Sequence, residues 1–362
     1  MVHPALKRLE RSAKAVLFAA AERLFGGARR PPPVWGSRQH RVLYLRYDRI
    51  GDMIMATGLI RAVATSHPTI ELDVLASPGN RSVLDGNPHV RRVHVLDRRR
   101  LWSYVSTVRA LRRERYDAVI AGMLVPSATT MLLMLATGAP WRIGIEGRRN
   151  DFVYTLPVPH SPPDALFVEQ IGQSALAFGV DPATTDWRYE LYLRDDERAR
   201  AEALWQRHPG TPRLLVNVSA FTRDRRWPAE RYAAVVRHLR EHDPGASVLI
   251  TGDPGDWAAA VAAAELGGAV AVNVSPVREV FALIAAADAI VTPDTSLAHA
   301  AAATGTPAGV LFTAAPAIYA PYGGRIVRIV SPGDTLEDLQ VAAVLPAVDR
   351  LLAIVAASPR PG

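Results

Sequence analysis

Along the chain, short apolar runs alternate with stretches whose apolar residues recur at helical spacing. Residues 42–46 (VLYLR), 70–76, 93–96 and 118–121 read as buried strands. Residues 53–65, 81–84 and 101–113 read as helices between and after them. The pattern restarts after a charged segment at 195–207. Strands are predicted at 213–217, 247–251, 270–273, 289–292 and 308–311, and helices at 229–240, 257–265, 277–286 and 296–304. Near-continuous apolar strands alternating with helices predict parallel sheets covered on both faces. Two successive runs of this kind predict an α/β protein with two such units.

The organisation expected is residues 1–40 as a helix and proline linker, 41–195 as a first unit and 196–335 as a second. A final helix at 336–357 and its tail, to 362, are open to crossing back onto the first unit. Pro31, Pro32 and Pro33 end the first helix and stiffen the linker. The length of 362 residues suits two domains.

Charge and composition narrow the partners. Lys and Arg number 42 against 35 Asp and Glu, a net charge of +7. That excess favours anionic partners. It gathers in residues 1–30 and in Arg91, Arg92, Arg98, Arg99 and Arg100. Leu6, Leu9, Ala13, Val16, Leu17, Ala20 and Leu24 recur at helical spacing with basic residues opposite, so the first segment predicts a basic amphipathic helix. Two readings stand for it: peripheral contact with an anionic membrane, or docking on the protein's own body. The apolar run 15–21 lies between Lys14 and Glu22 with no clean cleavage site after it, which argues against a signal peptide. The basic runs lack interleaved aromatic residues, so no nucleic-acid partner is expected.

Several chemistries are excluded. The chain has no cysteine, hence no disulfide, thiolate metal site or cysteine nucleophile. It has no GxxxxGK[ST], no GxGxxG after the first strand and no GxSxG elbow. No metal-ligand spacing stands out, and neither metal nor cofactor is expected.

Four strand-to-helix loops carry the candidate chemistry, because ligands of open parallel sheets bind at the carboxyl ends of strands. The first is Arg46-Tyr47-Asp48-Arg49-Ile50-Gly51-Asp52. Gly51 permits close approach. Asp52, just before the predicted helix, is either an N-cap or a general base. The second is Thr222-Arg223-Asp224-Arg225-Arg226-Trp227-Pro228. Its arginines are either surface charge or a clamp on a diphosphate. The third, Gly252 to Asp256, is a turn whose carboxylates suit ribose hydroxyls. The fourth runs from Thr292 through Asp294, Thr295, Ser296 and Leu297 to His299. The N–H groups of Thr295, Ser296 and Leu297 at a helix start make an anion site, unless Asp294 or Thr295 simply caps it. His299 is either a satisfied core histidine or a supporting group.

In order and spacing these segments resemble glycosyltransferase family 9, the ADP-heptose:lipopolysaccharide heptosyltransferases. The resemblance runs from about residue 42 to 311. It rests on Ile50-Gly51-Asp52 followed by Thr57-Gly58-Leu59, on Leu84-Asp85-Gly86-Asn87-Pro88-His89, on Arg225-Arg226-Trp227-Pro228, and on Asp294-Thr295-Ser296-Leu297-Ala298-His299 with Gly305-Thr306-Pro307 after it. It implies a GT-B architecture of two facing Rossmann-like domains. It also implies an inverting, metal-independent transfer of heptose from ADP-heptose, or of another nucleotide sugar, to a lipopolysaccharide-core-like or other lipid-linked saccharide. A cytoplasmic enzyme is expected, which the basic first helix would bring to the cytoplasmic face of the inner membrane. Asp52 would be the base, and Arg225 would bind donor phosphate. Asp256 would lie near the ribose, and Asp294 at the donor sugar. The amides of Thr295, Ser296 and Leu297 would hold the diphosphate, with Gly51, Arg223, Arg226 and His299 in support. Two positions depart from the family: Ser296 stands where glycine is usual, and Arg225 replaces lysine. A non-catalytic sugar-nucleotide-binding protein is the alternative outside the enzyme class.

Overall fold

The computed structural model describes residues 22–23, 29–147, 151–314 and 317–357. The predicted first helix falls almost wholly outside the described residues. The chain divides into two compact units. One runs through Asp48 and takes in Leu59–Arg81 and Pro88–Asp186. The other takes Arg49–Gly58, Ser82–Asn87 and everything from Trp187 onward.

The first unit is a six-stranded sheet in the order β3-β2-β1-β4-β5-β6, every pair parallel. Its strands are β1 (His40–Leu45), β2 (Ile70–Ala76), β3 (Arg92–Val95), β4 (Ala118–Ala121), β5 (Trp141–Ile145) and β6 (Leu156–Val158). Helix α1 (Ile50–Ser66) follows β1. Helices α2 (Leu101–Glu114), α3 (Ala128–Thr137) and α4 (Phe167–Gly172) complete the set. Central strands are apolar at nearly every position because helices cover both faces. Leu43, Leu45, Val119, Met131 and Met134 form one such core. The proline segment is no free linker. The Arg30 N–H donates to the Thr155 carbonyl, Trp141 Nε1 donates to the Pro31 carbonyl, and Trp35 Nε1 donates to the Ala177 carbonyl. Satisfied polar groups and the Trp35 ring, 4.7 Å from Phe178, fasten it to the unit.

The second unit repeats the topology. Its order is β12-β11-β10-β7-β8-β9, again all parallel. The strands are β7 (Arg213–Asn217), β8 (Ser247–Thr251), β9 (Val270–Ala271), β10 (Ala289–Pro293), β11 (Ala308–Phe312) and β12 (Ile326–Val330). The helices are α5 (Asp195–Gln206), α6 (Ala229–His242), α7 (Trp257–Gly267), α8 (Val277–Ala285), α9 (Ser296–Thr304) and α10 (Val341–Ala357). Renumbered from their own first strands, both sheets read 3-2-1-4-5-6. Each therefore has a topological switch point, between β1 and β4 and between β7 and β10, where open α/β sheets take ligands.

Two expectations shift. Segment 187–195, placed in the first unit from the sequence, belongs to the second. Buried Arg278 donates to the Tyr192 carbonyl at 2.7 Å, and α5, which follows at once, adds the Glu197–Arg278 pair at 2.6 Å and the Trp205 bond to the Leu283 carbonyl. The last helix packs on the second unit. Val344, Ala347, Val348 and Leu351 of α10 are buried in the core of the second unit with Leu311, Val327 and Ile329. A stripe at that spacing can bury only one face, and the second sheet takes it.

Candidate active site

The second switch point is built from the ends of β7 and β10. Asn217 closes β7 and is buried. Its Nδ2 donates to Thr292 Oγ1 at 2.9 Å, and its Oδ1 accepts the Ser219 N–H at 3.0 Å. One amide side chain thus locks the two strand ends and the first turn of the β7–α6 loop. At the loop's far end Trp227 is buried, donates to the Leu339 carbonyl at 2.9 Å and meets Tyr232 edge-on. A loop held at both ends presents its arginines from a fixed base.

Arg225 ends a short 3₁₀ turn (Arg223–Arg225) in that loop. Its Nη1 lies 2.9 Å from Asp294 Oδ2 and donates to the Asp294 carbonyl at 3.0 Å. Burial raises the Asp294 carboxyl above the usual carboxylate range, and the Arg225 charge works against that rise. Arg226 pairs through Nε with Asp256 Oδ1 at 3.0 Å, and Asp256 Oδ2 accepts the Ala220 N–H at 3.2 Å. Asp256 is thus a buried brace of the loop, and Arg226 is the exposed partner. Arg223 is exposed on the rim. Phe221, also exposed, lies under the Arg49 guanidinium at 4.5 Å.

Helix α9 starts just beyond Asp294. Thr295 is its N-cap, and its Oγ1 accepts the Leu297 N–H at 3.3 Å. This corrects the expectation of a free amide at Leu297. The helix caps itself there, as threonine at this position tends to do.

Helix α1 starts at Ile50, three residues earlier than the pattern predicted. Asp52 therefore lies in the first turn rather than before it, where the helix dipole favours its negative charge. The segment Arg49–Gly58 clusters with the second unit, not with the first as the family resemblance implied. The reason is close packing on α9. A Cβ on Gly51 would sit 3.1 Å from His299 Cδ2 and 3.5 Å from the Ser296 Cα. The Glu190 N–H, donating to Thr57 Oγ1 at 2.9 Å, fastens the far end of the same segment.

His299 is not a satisfied core histidine. It is 4% exposed, and its Nδ1 has no hydrogen-bond partner among the described residues. Burial pushes its pKa down to about 4, opposed by the Asp52 carboxylate. The ring is neutral at pH 7, with the Tyr189 ring edge-on at 5.7 Å. A carboxylate beside a neutral imidazole can accept a proton, while an arginine at the switch point can meet a phosphate.

Sequence reasoning picked out Asp52, Arg225, Arg226, Asp256 and Asp294, and the structure links the last four as two ion pairs. It missed Asn217 and Tyr189. The only sign of Asn217 was a polar residue closing an otherwise apolar strand. Tyr189 sits in an extended segment without periodicity.

The model of glycosyltransferase family 9 (heptosyltransferase) matches residues 104–343. Lipopolysaccharide heptosyltransferase 2 of Salmonella typhimurium is 24% identical over 326 residues, covering 80% of this chain and 88% of that protein. The crystal structure of a family 9 glycosyl transferase from Veillonella parvula superposes with a TM-score of 0.77 at 17% identity, over 88% of this chain and 98% of that one. The structure of the E. coli ADP-heptose lps heptosyltransferase II gives 0.70 at 25% identity, over 87% and 99%. The expected α/β fold of two Rossmann-like sheets, the GT-B class, is the fold of these proteins.

Proposed function

This chain belongs to glycosyltransferase family 9, and from that premise we propose that it is an inverting transferase moving heptose from ADP-heptose to a lipopolysaccharide-core-like, lipid-linked saccharide. That it is a glycosyltransferase follows from the family. The donor and acceptor are inferred from the similar proteins, whose names are those of lipopolysaccharide heptosyltransferases and of an enzyme of ADP-heptose. The observation that carries the reading is the Arg225–Asp294 pair at the switch point, with Asp52 packed against the helix that follows it.

In this reading the acceptor hydroxyl attacks the anomeric carbon as the bond to the diphosphate breaks, and Asp52 takes the hydroxyl proton. Charge develops on the departing diphosphate. Arg225 stabilises it: Nη1 makes both contacts with Asp294, which leaves the remaining N–H donors for phosphate oxygens. Asp294 is set to accept from donor-sugar hydroxyls. The amides of Thr295 and Ser296 and the positive end of α9 face the same anion, while the Leu297 amide joins only if Thr295 Oγ1 releases it. Asp256 acts through Arg226, holding it toward the donor nucleotide. His299, neutral at pH 7, adds no positive charge beside Asp52. No step calls on a metal or cofactor.

The same proposal places the enzyme at the cytoplasmic face of a membrane, where lipid acceptors are made. Among the described residues no helix is long and apolar enough to cross a membrane. Leu101 and Trp102, 84% and 80% exposed, stand directly after Arg98, Arg99 and Arg100. An aromatic and an aliphatic beside cations suit the interface of an anionic bilayer.

The test is calorimetric titration of ADP-, UDP- and GDP-sugars without added metal, on wild type and Arg225→Ala. Selective ADP-sugar binding that the substitution weakens supports the donor assignment. Preference for a UDP- or GDP-sugar overturns it in favour of another glycan pathway.

A further inference from the structure

One cluster of potential ligands lies apart from the groups given roles above. His238 and His242 stand four residues apart on α6, hence on one face, and Asp349 reaches them from α10. One ligand atom from each gathers within 4.8 Å of the others. His238 Nε2 is 2.6 Å from Asp349 Oδ1, and His242 Nε2 is 3.7 Å from that same oxygen. The imidazole rings lie 4.2 Å apart.

The tautomer of His242 is decided by its neighbour. Its Nδ1 lies 3.0 Å from the His238 carbonyl, and only a protonated nitrogen can bond there. The lone pair of the neutral ring is then on Nε2, directed at Asp349. A metal-bound imidazole has this arrangement: one nitrogen on the ion, the other donating to a carbonyl.

We propose that His238, His242 and Asp349 bind a zinc-class divalent cation, which clips the last helix to α6. Two imidazoles and a carboxylate supply three ligands and leave further positions to water. With no thiolate in the chain, this donor set suits zinc, cobalt or nickel rather than softer ions. Ligand bonds of about 2.0–2.1 Å put donors about 3.3 Å apart in a four-coordinate site. The observed 2.6 and 3.7 Å straddle that value, so a small swing of the exposed Asp349 side chain admits the ion. The cross-link joins positions 111 residues apart. It spans two helices whose buried faces share one core. Metal binding therefore adds to the stability of the closing helix. No metal motif showed in the sequence because one of the three ligands, Asp349, comes from the far end of the chain.

The experiment uses the full chain without an affinity tag. Zinc is titrated by calorimetry, cobalt is followed by visible absorption, and melting is recorded with and without zinc. One equivalent should bind, and the melting temperature should rise. His242→Ala and Asp349→Asn should each bind at least about tenfold more weakly, since even outer-shell losses cost 10–100-fold. Their melting temperatures should then no longer respond to zinc. His160→Ala, an exposed histidine elsewhere, should behave as wild type. His242 is exposed and Asn keeps the shape of Asp, so circular dichroism should show both variants folded. No saturable binding by wild type, or unchanged binding by both variants, overturns the proposal and leaves the triad as a hydrogen-bonded ion pair.

Discussion

Arg225 meets Asp294 through a single nitrogen. Nη1 lies 2.9 Å from the carboxylate and 3.0 Å from the carbonyl of that residue. The contact aims the guanidinium without consuming it, and it offsets the rise that burial imposes on the Asp294 carboxyl. Replacing Arg225 by alanine should therefore do two things. Donor affinity should fall, and turnover should drop on the order of 10²–10³-fold, the usual cost of one preorganised donor to developing charge. The Asp294 carboxyl should also titrate higher, because the Arg225 charge that opposes the rise is gone. Arg225→Lys should restore part of the turnover, since a point charge replaces a fork. Steady-state kinetics with the nucleotide sugar measures the first effect.

His299 makes stability fall in acid. Its folded pKa of about 4 is below the ordinary value near 6.5. Above pH 6.5 the ring is neutral folded and unfolded, and contributes no pH dependence. Between 6.5 and 4 only the unfolded chain takes up the proton, so stability declines; below 4 the loss levels off. A gap of that size corresponds to on the order of 3 kcal/mol. Urea unfolding at pH 7 and pH 5 should show a smaller difference for His299→Gln than for wild type.

Gly51 packs where a methyl group has little room. A Cβ there would sit 3.1 Å from His299 Cδ2, on a ring held in a buried site. Gly51→Ala should push α1 off α9, costing about 1–3 kcal/mol as overpacking does and displacing Asp52. His299→Ala should recover part of that loss, so a double-mutant cycle should give a coupling of about 0.5–3 kcal/mol.

Leu101 and Trp102 should matter for lipid and not for donor. Changing both to serine should weaken co-sedimentation with vesicles rich in anionic phospholipid while leaving nucleotide-sugar affinity unchanged. Equal sedimentation of variant and wild type would remove this patch from the proposed membrane contact.

The strand-to-helix grammar was readable where strands are central and helices follow at once. Strands β7 and β8 and helix α9 fall at the predicted residues because an apolar run meets a capping residue. Strands β5, β6 and β12 were not readable. Strand β6 is three residues with a central proline, and β5 contains Gly144, both poor strand signals. Strand β12 alternates buried and exposed positions around Arg328, unlike the continuous runs of the centre. Within the site, the arginine-rich loop and the helix start were visible as local motifs. Their pairing was not, since Arg225 and Asp294 are 69 residues apart. The offset of α1 hid the place of Asp52: Arg49 to Gly51 carry no start signal, and tertiary packing on His299 extends the helix backward.

The most direct measurement is transfer from ADP-heptose to a lipopolysaccharide-core acceptor by wild type and Asp52→Asn, with ADP affinity measured beside it. With Asp52 as the base, the variant should lose turnover by about 10²–10⁴-fold while binding ADP as wild type does. Near-wild-type turnover in the variant, with ADP bound normally, would contradict that role.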